Sequence, residues 1–444
     1  MSVWQGRLQA LRSSSVVKYG LANLLPRGVA LLGAIILTPL AVSRLGVVDY
    51  GIWVLATLIP SLISTPDFGI TYGVVNEVAR TYQRDGHIAA ERERLLGLNR
   101  LLNWIAAGWL VVGGLGISAY VFSGQGGEQA IRMFAAMLLA LIIFTFGIST
   151  TLWSRAQLAM ERGHEAINWE GAGKVVSFVA SLAVLLLVPN LLLLVVVTLL
   201  PNVLAAYLNA LTFRRTTFGP ASTLPAEGLR QIIRRNRVVL RAGQYFLMGQ
   251  VAYLIGLALD PFLVNAFLST SDVTYLSVAR RPFETLPLIV TLFSTSLWPV
   301  FHRLNETGQA AQLARVMGRL MGGTLAVLLI LSGTIIALHG PLYAFLGGGQ
   351  VQPQAVDLMW IAARISGGTL LIVISNYLYA VELVRLQSFL LLGSALVTLS
   401  VNLFVLSRAN LQAYLAASTV TYLLVGVLPP SLLALRHLRH RLRS

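Results

Sequence analysis

Apolar residues occur in this chain as long runs that short polar turns separate. The first run, Gly28 to Val42, contains Thr38 as its one polar side chain, and a second mainly apolar run, Gly51 to Ile63, follows the short turn Arg44 to Tyr50. About twelve runs approach the roughly 20 residues that a helix needs to cross about 30 Å of hydrocarbon. Their approximate limits are 18–43, 51–72, 98–121, 131–153, 166–188, 190–212, 243–267, 273–300, 320–340, 354–379, 386–407 and 411–434. The pattern predicts an all-α polytopic membrane protein.

The two halves of the chain share a spacing of polar and charged residues. Asp49 and Arg80 lie 31 residues apart, as do Asp272 and Arg303. Each residue of the second pair lies 223 positions after its counterpart in the first pair. Arg92 and Arg315 keep this offset, and Pro39 and Pro261 differ from it by one residue. The spacing predicts a six-helix unit used twice. We expect an N-terminal lobe over residues 1–215, a cytoplasmic basic linker over 216–241 and a C-terminal lobe over 242–444.

The linker has a helical pattern of its own. Ile232, Ile233 and Leu240 alternate with arginines at helical spacing. This pattern is typical of an amphipathic helix at a membrane surface, and equally of a solvated basic linker.

Composition excludes the soluble classes. The chain has 444 residues, 56% of them hydrophobic and 11% charged, and its mean hydropathy is +0.75. The formal net charge of +16 could indicate nucleic acid as a partner. However, 25 of the 33 Lys and Arg residues fall in alternate, inner segments, three fall in outer turns and five fall inside the spans. That asymmetry is the positive-inside rule, so we expect both termini in the cytoplasm, membrane lipid as the neighbour and no nucleic acid.

No motif for catalysis or for a cofactor is present in the sequence. The chain has no cysteine and no G-x-x-x-x-G-K-[ST] phosphate loop, and His164-Glu165 lacks the second histidine of a zinc-binding helix. We therefore expect no enzyme activity, no cofactor and no metal site.

Several ionisable residues lie within the predicted spans, where a charge without a partner is costly. Glu170 and Lys174 are at i,i+4 spacing, so they can pair locally or contact substrate. Glu284 can neutralise either Arg280 or Arg281 by the same spacing rule, which leaves the other arginine free.

Two acidic residues of the spans precede turns or breaks. Asp67 precedes Phe68-Gly69 and favours a turn, with ion coupling or charge pairing as the other role. Asp260-Pro261 fits a helix kink and an ion-coupling acid equally.

Two arginines, Arg27 and Arg364, have no carboxylate at i±3 or i±4. Arginine keeps its charge at physiological pH and forms bidentate bonds with phosphate or carboxylate. If Arg27, Arg364 and the Arg280–Arg281 pair converge, with Lys174 nearby, they form a cationic cavity for an anionic headgroup. The alternative is that Asp67, Asp260 and Glu284 pair with them.

Two stretches resemble a known family. Leu45-Gly-Val-Val-Asp-Tyr-Gly-Ile-Trp53 and Asp67-Phe-Gly-Ile70, followed by a charged inner loop, resemble the first helices of Wzx-type polysaccharide (O-antigen) flippases of the multidrug/oligosaccharidyl-lipid/polysaccharide (MOP) exporter superfamily. The resemblance implies a V-shaped, MATE-like transporter with basic residues in its first and eighth helices, which here match Arg27 and Arg280 or Arg281. Lipid II flippases of the superfamily have two further C-terminal helices, which the predicted twelve spans do not provide.

The resemblance implies that the protein moves undecaprenyl-pyrophosphate-linked oligosaccharide across the bacterial inner membrane, by alternating access through a cationic central cavity. H⁺ or Na⁺ coupling through Asp260 or Glu284, and contact with glycan polymerase or export machinery, remain open. A drug/cation antiporter of the same superfamily is the first alternative. A membrane glycan polymerase or ligase is the second, although the short outer turns leave little room for a catalytic loop.

Overall fold

A computed structural model describes residues 15–62, 70–124, 126–219, 228–237, 247–248, 250–252, 254–294 and 298–443. These residues form helices and turns, with no strand among them. The first helices are α1 (Ser15–Leu45), α2 (Val47–Leu62), α3 (Ile70–Asp85), α4 (Arg92–Gly124), α5 (Gly127–Gly147), α6 (Thr150–Ala159), α7 (Gly163–Leu187), α8 (Leu191–Phe218) and α9 (Leu229–Arg235). The later ones are α10 (Asp260–Phe267), α11 (Thr270–Arg280), α12 (Thr285–Ser294), α13 (Trp298–Glu306), α14 (Ala310–Ala337), α15 (His339–Leu346), α16 (Ala355–Ala380), α17 (Val384–Leu406), α18 (Leu411–Thr421) and α19 (Leu428–Arg443).

Within this part of the chain, ten helical segments are long and apolar enough to cross a membrane. They are Ala22–Leu45, Ala89–Ser123, Gly127–Gly147, Gly163–Leu187, Leu191–Phe218, Gln250–Phe267, Ala310–Ala337, Ala355–Ala380, Val384–Leu406 and Leu411–Leu442. The chain is thus a multi-pass membrane protein, and the predicted all-α class is confirmed.

The predicted spans 51–72 and 273–300 are not single long helices among the described residues. α2 is a short apolar helix, and residues 63–69, which include Asp67, lie outside the described residues. The eighth predicted span is divided into α11 and α12 at Arg281-Pro282. Proline has no N–H to continue the ladder and its ring clashes with the carbonyl four residues earlier, so a break here is expected.

The predicted turn at Pro189-Asn190 is present. The side chain of Asn190 accepts a hydrogen bond from the backbone N–H of Leu193 at 3.0 Å and caps α8. α7 and α8 then pack closely, since a Cβ on Gly173 would lie 2.9 Å from the Cβ of Ala205.

Contacts divide the chain into two compact units. Unit 1 contains residues 1–37 and 55–247, and unit 2 contains residues 38–54 and 248–444. The segment 38–54, which is the end of α1, the following turn and the start of α2, therefore belongs to the unit formed by the second half of the chain. The sequence pattern placed it in the N-terminal lobe.

The linker helix α9 is docked on the core of unit 1. Ile232 is 2% exposed and packs with the buried side chains of α3, α4, α6 and α8, whereas its neighbour Ile233 is 43% exposed. The buried Asn236 accepts a hydrogen bond from Arg94 Nε at 3.1 Å, and Arg235 contacts Glu93 at 3.3 Å. One apolar residue of this stretch thus faces protein rather than solvent or lipid.

The core of unit 2 forms where α12, α13, α14, α16 and α19 meet. Phe301 and Tyr377 are fully buried there and their rings meet edge to face, with centroids 5.8 Å apart. The Tyr377 hydroxyl and His437 Nδ1 form a hydrogen bond of 2.7 Å, so the buried phenol is satisfied.

The same turn is built twice, once in each unit. Glu161 has a φ of 60° and Glu382 a φ of 64°, and these are the non-glycine residues with left-handed backbone in the described chain. At each turn the next N–H closes the helix end: Arg162 donates to the Gln157 carbonyl and Leu383 to the Leu378 carbonyl, both at 2.9 Å. Corresponding residues of the two turns are 221 positions apart, close to the offset in the sequence.

Candidate functional site

The candidate charges of unit 2 form one cluster at the ends of several helices. Asp260 begins α10, Arg280 ends α11, Arg281 and Glu284 lie in the turn before α12, and Arg364 lies on α16. The cluster contains three arginines and two carboxylates, so its formal charge is +1.

Asp260 is the centre of this cluster. It is 1% exposed, and Pro261 follows it in the first turn of α10, where the missing N–H of proline costs nothing. Its Oδ2 lies 2.8 Å from Nη1 of Arg364 and 3.5 Å from Nη1 of Arg280. One buried carboxylate is therefore shared by two arginines, held more closely by Arg364.

Arg364 has its charge partnered from outside its own helix. Its Nη2 donates to the Gly256 carbonyl at 2.8 Å and to Asp260 Oδ1 at 3.2 Å. The Tyr422 ring lies 5.8 Å from its Cζ. Arg364 is 8% exposed, so these contacts offset the cost that its lack of a local carboxylate leaves.

Arg280 and Arg281 are held more loosely. Glu284 contacts both, 3.8 Å from Arg280 Nε and 3.4 Å from Arg281 Nη1. Arg281 Nε also donates to the hydroxyl of Thr38 at 3.2 Å. Glu284 thus does not select one arginine and release the other, as its spacing alone suggested. Arg280 makes long contacts with two carboxylates, Asp260 and Glu284, and Arg281 makes a long contact with Glu284.

The turn after α1 packs directly against α11, inside unit 2. Thr274 Oγ1 donates to the Val47 carbonyl at 2.5 Å. A Cβ on Gly51 would lie 2.5 Å from the Thr270 carbonyl oxygen, so only glycine fits at this contact. The Tyr50-Gly51 pair of the family-like stretch therefore has a packing reason, and Thr38 and Thr274 join the site without a signal in the sequence.

Unit 1 holds the other candidate cations on α1 and α7. The two helices approach closely at Gly171, whose added Cβ would lie 3.0 Å from Leu25 and 3.4 Å from Pro26. Arg27 follows directly on α1, and its Nη1 is buried without a hydrogen-bond partner in the part of the chain that the structure describes.

Lys174 and Glu170, on α7, form the pair that their spacing predicted. Lys174 Nζ lies 2.6 Å from Glu170 Oε1, and both side chains are partly exposed. Lys174 therefore has a local counter-charge, which Arg27 Nη1 lacks among the described residues.

One buried acid escaped the sequence analysis. Asp357, in the first turn of α16, is buried and its Oδ2 accepts a hydrogen bond from the Tyr275 hydroxyl at 2.5 Å. The same hydroxyl accepts from the N–H of Gln354 at 2.9 Å. In the sequence, an aspartate at the start of a predicted span indicates only a helix start. Its hydrogen-bond partner Tyr275 is 82 residues away, so local spacing does not reveal the contact.

Comparison with solved structures identifies the fold. An inward-facing multidrug resistance MATE family transporter of the MOP superfamily matches with a TM-score of 0.70 and 12% identity, over 96% of each chain. The lipid II flippase MurJ, in an inward closed conformation, matches with a TM-score of 0.69 and 12% identity, over 93% of this chain and 86% of MurJ. The chain has the fold of MOP-superfamily transporters.

A third match carries a different pocket chemistry. It is a MOP-superfamily transporter from Pyrococcus furiosus for which reverse polarity of the binding pocket suggests a different function, with a TM-score of 0.58 and 12% identity over 97% of this chain and 96% of that one. No family model and no curated protein matches the sequence. The MOP fold is therefore found with more than one kind of cargo.

Proposed function

We propose that this protein is a flippase that moves undecaprenyl-pyrophosphate-linked oligosaccharide repeat units from the cytoplasmic to the outer leaflet of the bacterial inner membrane by alternating access. The observation that carries the proposal is Arg27. Its Nη1 is buried within an apolar span without a hydrogen-bond partner among the described residues. A buried arginine without a partner inside a membrane span is costly, and a pyrophosphate would offset that cost.

The unit 2 cluster supports an anionic cargo as well. Arg280 and Arg281 make carboxylate contacts of 3.4 Å or longer, which are weak for charge-assisted hydrogen bonds. Phosphate oxygens can therefore compete for these two guanidinium groups. In this proposal Arg364 contributes through Asp260, and Lys174 contacts cargo only where an anion displaces Glu170.

The fold supports transport rather than catalysis. Proteins with this fold include a named lipid II flippase and named multidrug transporters. A pyrophosphate and its sugars cannot cross hydrocarbon without polar partners, and fixed arginines can replace their water. Coupling to H⁺ or Na⁺, a hand-over to glycan polymerase machinery and cytoplasmic termini belong to the same proposal.

A drug/cation antiporter is the second candidate, and one observation favours it. Asp260 is a fully buried acid in a fold shared with a multidrug transporter, and buried acids suit cationic cargo. However, Asp260 already contacts two arginines, which leaves little negative charge for a cation. The anionic cargo therefore remains the better supported candidate.

The test is flipping of fluorescently labelled undecaprenyl-pyrophosphate-linked oligosaccharide in proteoliposomes. We expect Arg27→Ala and Arg280→Ala each to lower the initial rate about tenfold or more, because each removes a hydrogen bond to a charged group worth about 1.5–3 kcal/mol. Arg408→Ala is the matched control, since Arg408 is exposed and stacks on Phe404 in an outer turn.

Two outcomes would contradict the proposal. Wild-type rates from both Arg27→Ala and Arg280→Ala would remove the cationic groups from cargo binding. Exchange of a cationic dye for protons by the purified wild-type protein, without flipping, would establish the antiporter instead.

A further inference from the structure

A break interrupts the seventh predicted span just before α10. Residues Leu254–Ala258 form a wide π turn, in which the N–H of Leu259 donates to the Leu254 carbonyl at 3.0 Å. In this i→i+5 pattern the carbonyl of Gly256 would pair with the N–H of residue 261. Residue 261 is a proline and has no N–H, so the Gly256 carbonyl is available to another donor.

The guanidinium group of Arg364 supplies that donor and joins the π turn to the start of α10. Nη2 donates to the Gly256 carbonyl, inside the π turn, at 2.8 Å and to Asp260 Oδ1, at the start of α10, at 3.2 Å. Nη1 lies 2.8 Å from the other oxygen of Asp260. The bidentate contact fixes the carboxylate plane, since arginine and carboxylate match in geometry. The ring of Tyr422, which begins a second π segment, lies against the same guanidinium.

The same geometry limits the contact between Asp260 and Arg280. Asp260 Oδ2 is 2.8 Å from Arg364 but 3.5 Å from Arg280. If Arg364 were absent, the buried carboxylate would keep Arg280 as its nearest cation and would close on it, because an unpaired buried charge is costly. Arg280 would then be neutralised.

We propose that Arg364 is a positioning residue rather than a cargo ligand: it clamps the helix break and holds Asp260, and so keeps the guanidinium group of Arg280 available to an anion of the pyrophosphate class. The step from clamp to anion binding rests on the proposed function. The clamp itself rests on the Gly256 and Asp260 contacts alone.

The first test is binding of inorganic pyrophosphate to the purified full-length protein in nanodiscs. Arg364→Met is expected to weaken binding about tenfold or more, because Asp260 then pairs with Arg280. Arg364→Met combined with Asp260→Asn is expected to bind within about threefold of wild type, because Arg280 is released again. Arg408→Met serves as the control for loss of one positive charge. A double variant as weak as Arg364→Met would overturn the proposal, since it would make Arg364 a direct ligand or a purely structural residue.

The second test separates the clamp from the cargo. Thermal unfolding of the same variants should show that Arg364→Met and Asp260→Asn each lower Tm, while the double variant is no less stable than the worse single one. Arg364→Met takes from Asp260 its closer cation, and Asp260→Asn leaves the buried Arg364 without that carboxylate. Additive losses would overturn the clamp. If the wild-type protein bound no pyrophosphate, the proposed function and the positioning step would fail, and this cycle would still decide the clamp.

Discussion

Gly51 shows how a single residue holds the turn after α1 in place. The Cβ of any larger residue would lie 2.5 Å from the Thr270 carbonyl oxygen and 2.8 Å from the side chains of Thr270 and Thr274. Both threonines are buried, so neither backbone nor side chain has space to move. The turn would have to leave α11, and the hydrogen bond between Thr274 and Val47 would be lost with it.

Gly51→Ala is therefore expected to destabilise the protein by about 1–3 kcal/mol, the usual cost of overpacking. Thermal unfolding in detergent measures the change as a lower Tm. The control is Gly333→Ala, because a Cβ at Gly333 meets nothing within 4 Å. An unchanged Tm for Gly51→Ala would mean that the turn is not packed as described.

The residue scale also shows which ionic contacts the sequence can foresee. Glu170 and Lys174 are four residues apart on one helix, and that spacing fixes their side chains on one face. Asp260 and Arg364 are 104 residues apart, so their pairing depends on how α10 and α16 pack. The lack of a carboxylate at helical spacing indicated that Arg364 needs a partner, but it could not identify Asp260 as that partner.

At the scale of elements, the linker helix α9 has a feature that neither expectation for the basic segment contained: it is docked on the core of unit 1 through Ile232. The pattern of isoleucine and arginine predicted a helix, and the helix is present. The pattern could not show that Ile232 rather than Ile233 is buried, because the two residues are identical in type and adjacent in sequence. The surface that decides between them is the core formed by α3, α4, α6 and α8.

The adjacent isoleucines provide a matched test. Ile232→Asp should release α9. The change removes an apolar side chain whose burial contributes about 1.5–3 kcal/mol to stability, and it places a carboxylate in the core. Limited trypsin digestion at the linker arginines should then become faster. Ile233→Asp, at a position 43% exposed, should leave the cleavage rate unchanged. Equal cleavage of the two variants would show that α9 is not held through Ile232.

Breaks in helices were partly readable from the chain. Pro282 explains the division of the eighth predicted span, and Pro261 marks the start of α10. The π turn before Asp260 has no comparable signal, because a wide turn depends on a partner for the carbonyl that proline leaves open. In this protein that partner comes from α16.

For the whole molecule, hydrophobic patterning was sufficient for the fold class, because lipid requires every spanning segment to satisfy its own backbone. The assignment of residues 38–54 to unit 2 was not readable, since a repeat detected by spacing divides a chain in sequence rather than in space. The cargo was not readable either, because the MOP fold occurs in transporters with different cargo.

The absence of cysteine makes the membrane orientation directly testable. Ser407→Cys is expected to react with a membrane-impermeant maleimide in intact spheroplasts, because the positive-inside pattern places this exposed turn outside. His87→Cys, in an exposed loop that the same pattern places inside, should react only after permeabilisation. The cysteine-free wild type is the blank. Reversed labelling of the two variants would invert the topology and place both termini outside.

The matched left-handed turns at Glu161 and Glu382 speak to descent. A left-handed residue costs energy for glutamate, and the nearly equal spacing of the two turns and of the sequence repeat is what duplication of one ancestral segment would leave. In such a duplication the two copies have since diverged in charge: Asp260 and Arg364 lie in the second half of the chain and Arg27 in the first.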